Sequence, residues 1–207
     1  AVHDLIKEYM TEHQRIIFNG NGYSDEWVVE AEKRGLPNIK SMIEAASTLT
    51  SEKAVALFEK FGIYTKAELE SREEIIYETY AKTINIEALT MIDMAGKQII
   101  PAVVKYTKTL ADTANAIKAA GGDASVQTEL LADVSTKLAA MQKELNKLVA
   151  DEKEASAMED VKAQAFFYKD TIKATMDELR KPADELEMIV DKDVWPIPTY
   201  GELMFEV

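Results

Sequence analysis

The chain has 207 residues, 47% of them apolar and 29% charged, the composition of a folded soluble protein rather than a disordered one. Its net charge of -13, without any block of clustered Lys or Arg, weighs against non-specific binding to nucleic acid or to an anionic membrane. Cysteine is absent, which rules out disulfides, thiolate metal sites and cysteine nucleophiles and fits a cytoplasmic protein.

No apolar run approaches membrane-spanning length, and the N-terminus has no basic-then-apolar signal pattern. The sequence opens at Ala1 in what reads as the middle of a helix, so a piece of a larger protein is expected. Residues 2–18 read as a helix whose apolar face is formed by Leu5, Tyr9, Ile16 and Ile17. Two Asn-Gly steps follow, in "IIFNGNGYSDEW" at 16–27. A glycine loop opening onto a helix can cradle a phosphate, but Asp25 and Glu26 in the first turn would repel one. No Lys-Ser/Thr pair follows the glycines either, so the stretch is expected to be a turn using positive φ, with Ser24 as N-cap. A short helix to about residue 34 is then ended by Gly35 and sealed by Pro37. One or two more short helices lie between 41 and 61, stopped at Gly62.

From Thr65, which forms a capping-box signature with Glu68, helical pattern runs to Ala120. Ile92, Gly96, Ile99, Val103, Tyr106, Leu110, Thr113 and Ile117 step by 4 and 3 as a heptad seam. Pro101 lies inside it and predicts a kink. After Gly121-Gly122, a second seam runs through Leu131, Val134, Leu138, Met141, Leu145 and Leu148. A polar break at 151–158 precedes a third, through Val161, Ala165, Tyr168, Ile172, Thr175, Leu179, Pro182, Leu186 and Ile189. The fold class expected is therefore mainly α: a long antiparallel bundle of three long helices, one kinked at Pro101. A smaller irregular helical part precedes it and an extended tail follows. In that tail, "WPIPTYGELMFEV", Leu203, Phe205 and Val207 alternate like a short strand. Its apolar side chains are expected to pack on Phe18, Ile17 and Trp27 of the first third.

Catalytic chemistry is sought without result. His3 and His13 are ten residues apart on one helix and cannot share a metal ion. Glu87 and Asp93 lie near the start of the seam that opens at Ile92, but Glu87 is expected to pair with Lys82 or Lys105 at a helix flank. No nucleotide-loop, nucleophile-elbow or zinc-helix motif occurs. The residues alone leave two further readings open: a free-standing coiled-coil adaptor that binds a partner helix, and a carboxylate-bridged metalloenzyme.

Three phrases carry a resemblance. "RIIFNGNGYSDEWVVEAEKRGL" at 15–36, "YAKTINIEALTMIDMAGKQIIPAVVKY" at 80–106 and "DELRKPADELEMIVDKDVWPIPTYGELMFEV" at 177–207 are similar to the C-terminal region of type III glutamine synthetases, the large bacterial form. The resemblance implies that residues 1–40 are the terminal helices of a catalytic core with a turn. Residues 41–64 would be a short helical connection, 65–191 the long bundle and 192–207 the tail. It also implies a full-length ligase that joins ammonia to glutamate with ATP and Mg2+ or Mn2+, through a γ-glutamyl phosphate. None of that family's metal or ATP motifs matches this sequence. No catalytic, cofactor-binding or metal-binding residue is therefore assigned here, and the chain alone is expected to be inactive. Its expected partners are the catalytic domain of the same polypeptide and neighbouring subunits of a homo-oligomer, with no nucleic acid and no membrane.

Overall fold

Glycines in the left-handed region end three of the helices. Gly35, Gly62 and Gly121 have φ of 71°, 63° and 79°, a conformation that costs an L side chain strain. After each, the next N–H reaches back 2.9 Å to a carbonyl one turn inside the helix: Leu36 to Ala31, Ile63 to Phe58, Gly122 to Ile117. These are paired Schellman closures that satisfy the last carbonyls.

The computed structural model describes residues 1–205, with Tyr200 described by its backbone only, and it is mainly helical, with no strand among those residues. The first third holds α1 (Val2–Glu12), α2 (Asp25–Lys33), α3 (Met42–Ala46) and α4 (Glu52–Lys60). Then α5 (Lys66–Met94) runs through a π-turn at Ala95–Ile99 straight into α6 (Ile100–Ala119). Next come α7 (Ser125–Ser156), α8 (Val161–Phe167), a second π-turn at Tyr168–Ile172, α9 (Lys173–Glu187) and a terminal α10 (Tyr200–Phe205). Thr65 starts α5 as its capping box requires. Its N–H donates to Glu68 Oε2 at 2.7 Å, and the Glu68 N–H donates to Thr65 Oγ1 at 3.3 Å.

Helix α7 is the centre of the packing, against α6 on one side and α9 on the other, while α5 packs on α8 and α3. One core joins α5, α6, α7, the second π-turn and α9, with Val103, Met141, Leu148, Ile172, Leu179 and Leu186 among its most deeply buried members. A smaller cluster of Ile43, Ala46, Tyr77 and Ala165 joins α3 and α8 to α5. The third seam is inward from Ala165 to Leu186, including Pro182, which sits inside α9 without ending it. In the second seam Leu138 is only half-buried, while Met141 and Leu145 are buried.

The first seam departs from its expected register at two positions. Ala95 is buried in place of Gly96, and Ala114 in place of Thr113. A π-turn begins at Ala95, where the Ile100 N–H bonds back to the Ala95 carbonyl. A five-residue step inserts one extra residue there, while Ile99, Val103 and Leu110 remain buried as the seam expects. The turn stands immediately before Pro101, whose ring nitrogen cannot donate to the turn behind it.

The tail also differs from expectation. It forms a helix from Tyr200, not a strand, because Thr199 and Glu202 make a second capping box. The Thr199 N–H donates to Glu202 Oε2 at 2.8 Å, and the Glu202 N–H donates to Thr199 Oγ1 at 3.3 Å. Lys192, 2.8 Å from Glu202 Oε1, and then Thr199 hold the Glu202 carboxyl down to about 2. Val207, part of the expected alternation, lies outside the described residues. Trp195, 8% exposed, belongs to the bundle core, with Val194 and Ile197 packed beside it. Phe18 and Trp27 instead stack on each other, ring centroids 4.5 Å apart, so the tail does not clamp the first third.

The core makes a graded prediction. Replacing Leu148, fully buried, with Ala should cost about 2 to 5 kcal/mol in urea unfolding. Leu138→Ala, at a half-buried position, should cost clearly less in the same assay.

Candidate functional site

The residues singled out by sequence do not gather. His3 and His13 are both exposed, at opposite ends of α1. Glu87 and Asp93 are exposed as well, and Asp93 pairs with Lys97 one turn on. Lys82 pairs with Glu78 at 2.6 Å, not with Glu87, because a Glu four residues before a Lys is the favourable helical spacing. Among the described residues no three His, Asp or Glu side chains group as a metal ion would require.

The Asn-Gly stretch is a closed turn. Neither Gly20 nor Gly22 has a positive φ, contrary to the expectation for that reversal. The turn is made by side chains instead. The Tyr23 N–H donates to Asn21 Oδ1 at 3.0 Å, and Ser24 Oγ donates to the Asn21 carbonyl at 2.8 Å. Ser24 stands at the N-cap of α2, but its hydroxyl is thereby turned away from the helix N–H groups. Arg34, at the other end of α2, donates to the carbonyls of Gln14, Arg15 and Ile17 and ion-pairs with Glu30 at 2.7 Å. One guanidinium thus closes the carbonyl end of the preceding helical segment. Sequence reading gave no sign of this, since the partners are 17 to 20 residues away.

A buried polar cluster was also missed. Glu73 points inward from α5, where Leu69, Glu73 and Tyr77 repeat at helical spacing. It accepts hydrogen bonds from Thr50 Oγ1 at 2.6 Å and Tyr77 OH at 2.7 Å, and Lys162 Nζ of α8 stands 3.5 Å away. Burial works to raise the Glu73 pKa, but the Thr50 and Tyr77 hydrogen bonds and the Lys162 charge outweigh it and hold it below its ordinary 4.5. Burial, then the Glu73 carboxylate, pushes the Tyr77 hydroxyl up. Nearby, Lys169 of the second π-turn meets Glu44 of α3 at 2.6 Å. These contacts pin residues 41–51 to the bundle. An open groove lined by Glu70, Glu73, Glu74, Tyr77 and Lys162 runs past the cluster, whose contacts serve as a clasp.

Uncovered apolar surface is concentrated elsewhere. On α1, Val2, Leu5, Ile6, Tyr9 and Met10 form one apolar stripe, and every one is exposed. Val28, Val29, Met42, Leu57, Phe61 and Ile63 extend this through the first third. At the chain's other end Leu203, Met204 and Phe205 are exposed too, Phe205 at 79%. A stripe such as that on α1, with its apolar side chains all on one helix face and all exposed, marks an interaction surface.

The clasp makes a pH prediction. A carboxylate with a lowered folded pKa gives stability that is present above its ordinary pKa and lost as pH falls through the folded value. The stability gap between the protein and its Glu73→Gln variant, measured by urea unfolding, should therefore be widest near neutral pH. It should narrow as the pH drops below 4.5.

Comparison with known proteins agrees with the phrases noted above. The family model for the glutamine synthetase C-terminal domain matches residues 1–118. A glutamine synthetase of Butyrivibrio fibrisolvens is 40% identical over 208 residues, covering 100% of this chain and 30% of the relative. A type-3 glutamine synthetase of Dictyostelium discoideum is 34% identical, over 99% of this chain and 29% of its own length. A glutamine synthetase of Bacteroides fragilis is 30% identical over the same shares. The chain thus spans about a third of the length of the curated relatives it matches. It belongs to the glutamine synthetase family, type III, as the C-terminal domain of that family.

Proposed function

We propose that this chain is the C-terminal structural module of a type III glutamine synthetase. The whole enzyme would join ammonia to glutamate with ATP, using Mg2+ or Mn2+ to steady a γ-glutamyl phosphate. The residues for that chemistry would lie in the remaining two-thirds of the polypeptide, and this chain would supply none of them. Its own part is to form a helical bundle, antiparallel and bent at Pro101, and to dock through its first third on the catalytic domain. In an assembled homo-oligomer, in the cytoplasm, it would also meet neighbouring subunits.

The observation that carries this reading is the uneven distribution of apolar surface. The bundle buries its own seams, whereas α1 leaves an entire apolar stripe open. A stripe of that size is costly in water, at about 1.5 to 3 kcal/mol for each large side chain left uncovered. Together with a match that takes in the whole of this chain but under a third of each relative, it favours a module seated on the rest of its polypeptide. The polar residues Asp4, Lys7, Glu8 and Thr11 of α1 lie on the opposite face.

Calorimetry on the isolated chain should find no ATP binding at micromolar nucleotide, and an ammonia-ligation assay should find no glutamine. Either activity in the isolated chain would overturn the proposal. Hydrogen exchange offers an independent check on the docking face. Amides of α1 should exchange freely in the isolated chain and become protected in a polypeptide that includes the upstream region. The amides of α7 should be protected in both.

A further inference from the structure

The Asn-Gly turn has a chemical property that the structural role does not use. Asn21 is exposed, and the residue after it, Gly22, has nothing within 4 Å of the place where a Cβ would stand. The Gly22 N–H is in no backbone hydrogen bond. The Asn21 side-chain carbonyl accepts the Tyr23 N–H at 3.0 Å. That donor fixes which side-chain atom is the oxygen, since an N–H must meet an acceptor. It also draws electron density from the amide carbon, in the manner of an oxyanion donor. The neighbouring step is different. Among the described residues no donor to the Asn19 side chain occurs, and the Phe18 ring lies over Gly20, 2.5 Å from a Cβ position there.

We infer that Asn21 is a site of spontaneous covalent modification, in which the Gly22 backbone nitrogen attacks the Asn21 side-chain amide. Base removes the Gly22 N–H proton, the nitrogen bonds to Cγ, and Nδ2 leaves as ammonia with a proton from solvent. The product is a five-membered succinimide. Water then opens either of its carbonyls, giving aspartate or isoaspartate; the net change is one water consumed and one ammonia released. Charge is altered by one carboxylate beside Asp25 and Glu26, at the N-terminus of α2. The isoaspartyl product also lengthens the main chain by one carbon at the residue whose carbonyl Ser24 grips. Asn19, with the same sequence step, reacts more slowly because its glycine is covered and its carbonyl is unassisted.

The test is peptide mapping by mass spectrometry of the purified full chain, incubated at mildly alkaline pH, with isoaspartyl methyltransferase labelling to identify the product. Asn21 should convert roughly fivefold faster than Asn19, a ratio equivalent to about 1 kcal/mol of barrier. Tyr23→Pro removes the assisting N–H and should slow Asn21 part of the way toward the Asn19 rate, since Gly22 stays uncovered. Gly22→Ala, at a position with open space and an ordinary φ, keeps the turn and hinders the attacking nitrogen, so it should also slow conversion. Equal or faster conversion at Asn19 would overturn the inference. So would an Asn21 rate that neither substitution changes.

Discussion

Burial of the inward face of α7 is the constraint on which the rest depends. This helix is flanked by α6 and α9, so its seam of Val134, Met141, Leu145 and Leu148 must be met from two sides at once. Each neighbour answers with its own aliphatic row, Val103 and Leu110 from α6 and Leu179 and Leu186 from α9. Some of the polar groups drawn into this core are satisfied locally, whereas Trp195 Nε1, Asn85 Oδ1 and Gln127 Oε1 are buried with no partner among the described residues. Thr175, 1% exposed, donates to Asp151 at 2.7 Å, and Gln164 Nε2 donates to the Ala155 carbonyl at 3.0 Å at the end of α7. Paired groups of this kind cost little to bury, whereas orphaned ones take back part of the gain from the apolar seam.

The long helix formed by α5 and α6 has to cross Pro101 to reach this core. An α-helical turn there would put the proline ring against the carbonyl four residues earlier and leave that carbonyl without its donor. The π-turn at Ala95–Ile99 precedes this point and adds a residue, so the inward face resumes at Val103 without a break in the helix. The tail comes back to the same place. Asp193, Val194 and Pro196 line one wall of a groove whose other wall is Lys97, Pro101 and Lys105. Trp195 is buried between these residues of the tail. The chain's end is thus committed to the bundle near its proline, which leaves the first third without the cover that an apolar tail would have given it.

These two features also show what the sequence can and cannot disclose. The row from Ala165 to Leu186 is legible because heptad spacing maps directly onto one helix face, and Pro182 does not disturb it. The row through Gly96 and Thr113 is displaced by one residue at those two positions, although Ile99, Val103 and Leu110 between them stay inward. A π-turn alone does not account for this, since the third row crosses one at Tyr168–Ile172 without slipping. For the tail the signal is present in the sequence: Thr199 and Glu202 have the same spacing as Thr65 and Glu68, and this capping box prevails over the alternation of Leu203 and Phe205. Glu73 was equally visible, at inward spacing between Leu69 and Tyr77, though its partner Thr50 lies 23 residues away in a segment with no periodic pattern. The family phrases were the most informative part of the sequence. They fall at 15–36, 80–106 and 177–207, and the middle of α7 between them is heptad repeat that many bundles share.

The join between the first third and the bundle follows from how little α3 can bury. It has five residues, and only Ile43 and Ala46 face inward, against Tyr77 and Ala165. Apolar contact on that scale gives attraction but poor orientation, because it is non-directional. Direction comes from the two polar contacts beside it, Glu44 with Lys169 and Thr50 with Glu73. Charge-assisted hydrogen bonds such as these are short and geometrically demanding, so they fix the segment at 41–51 in one placement. Removing the apolar pair would weaken the join, but removing the polar contacts would leave it without a defined angle. The carboxylate on the inward face of α5 thus gives this join a defined angle, which the small apolar contact of α3 does not supply.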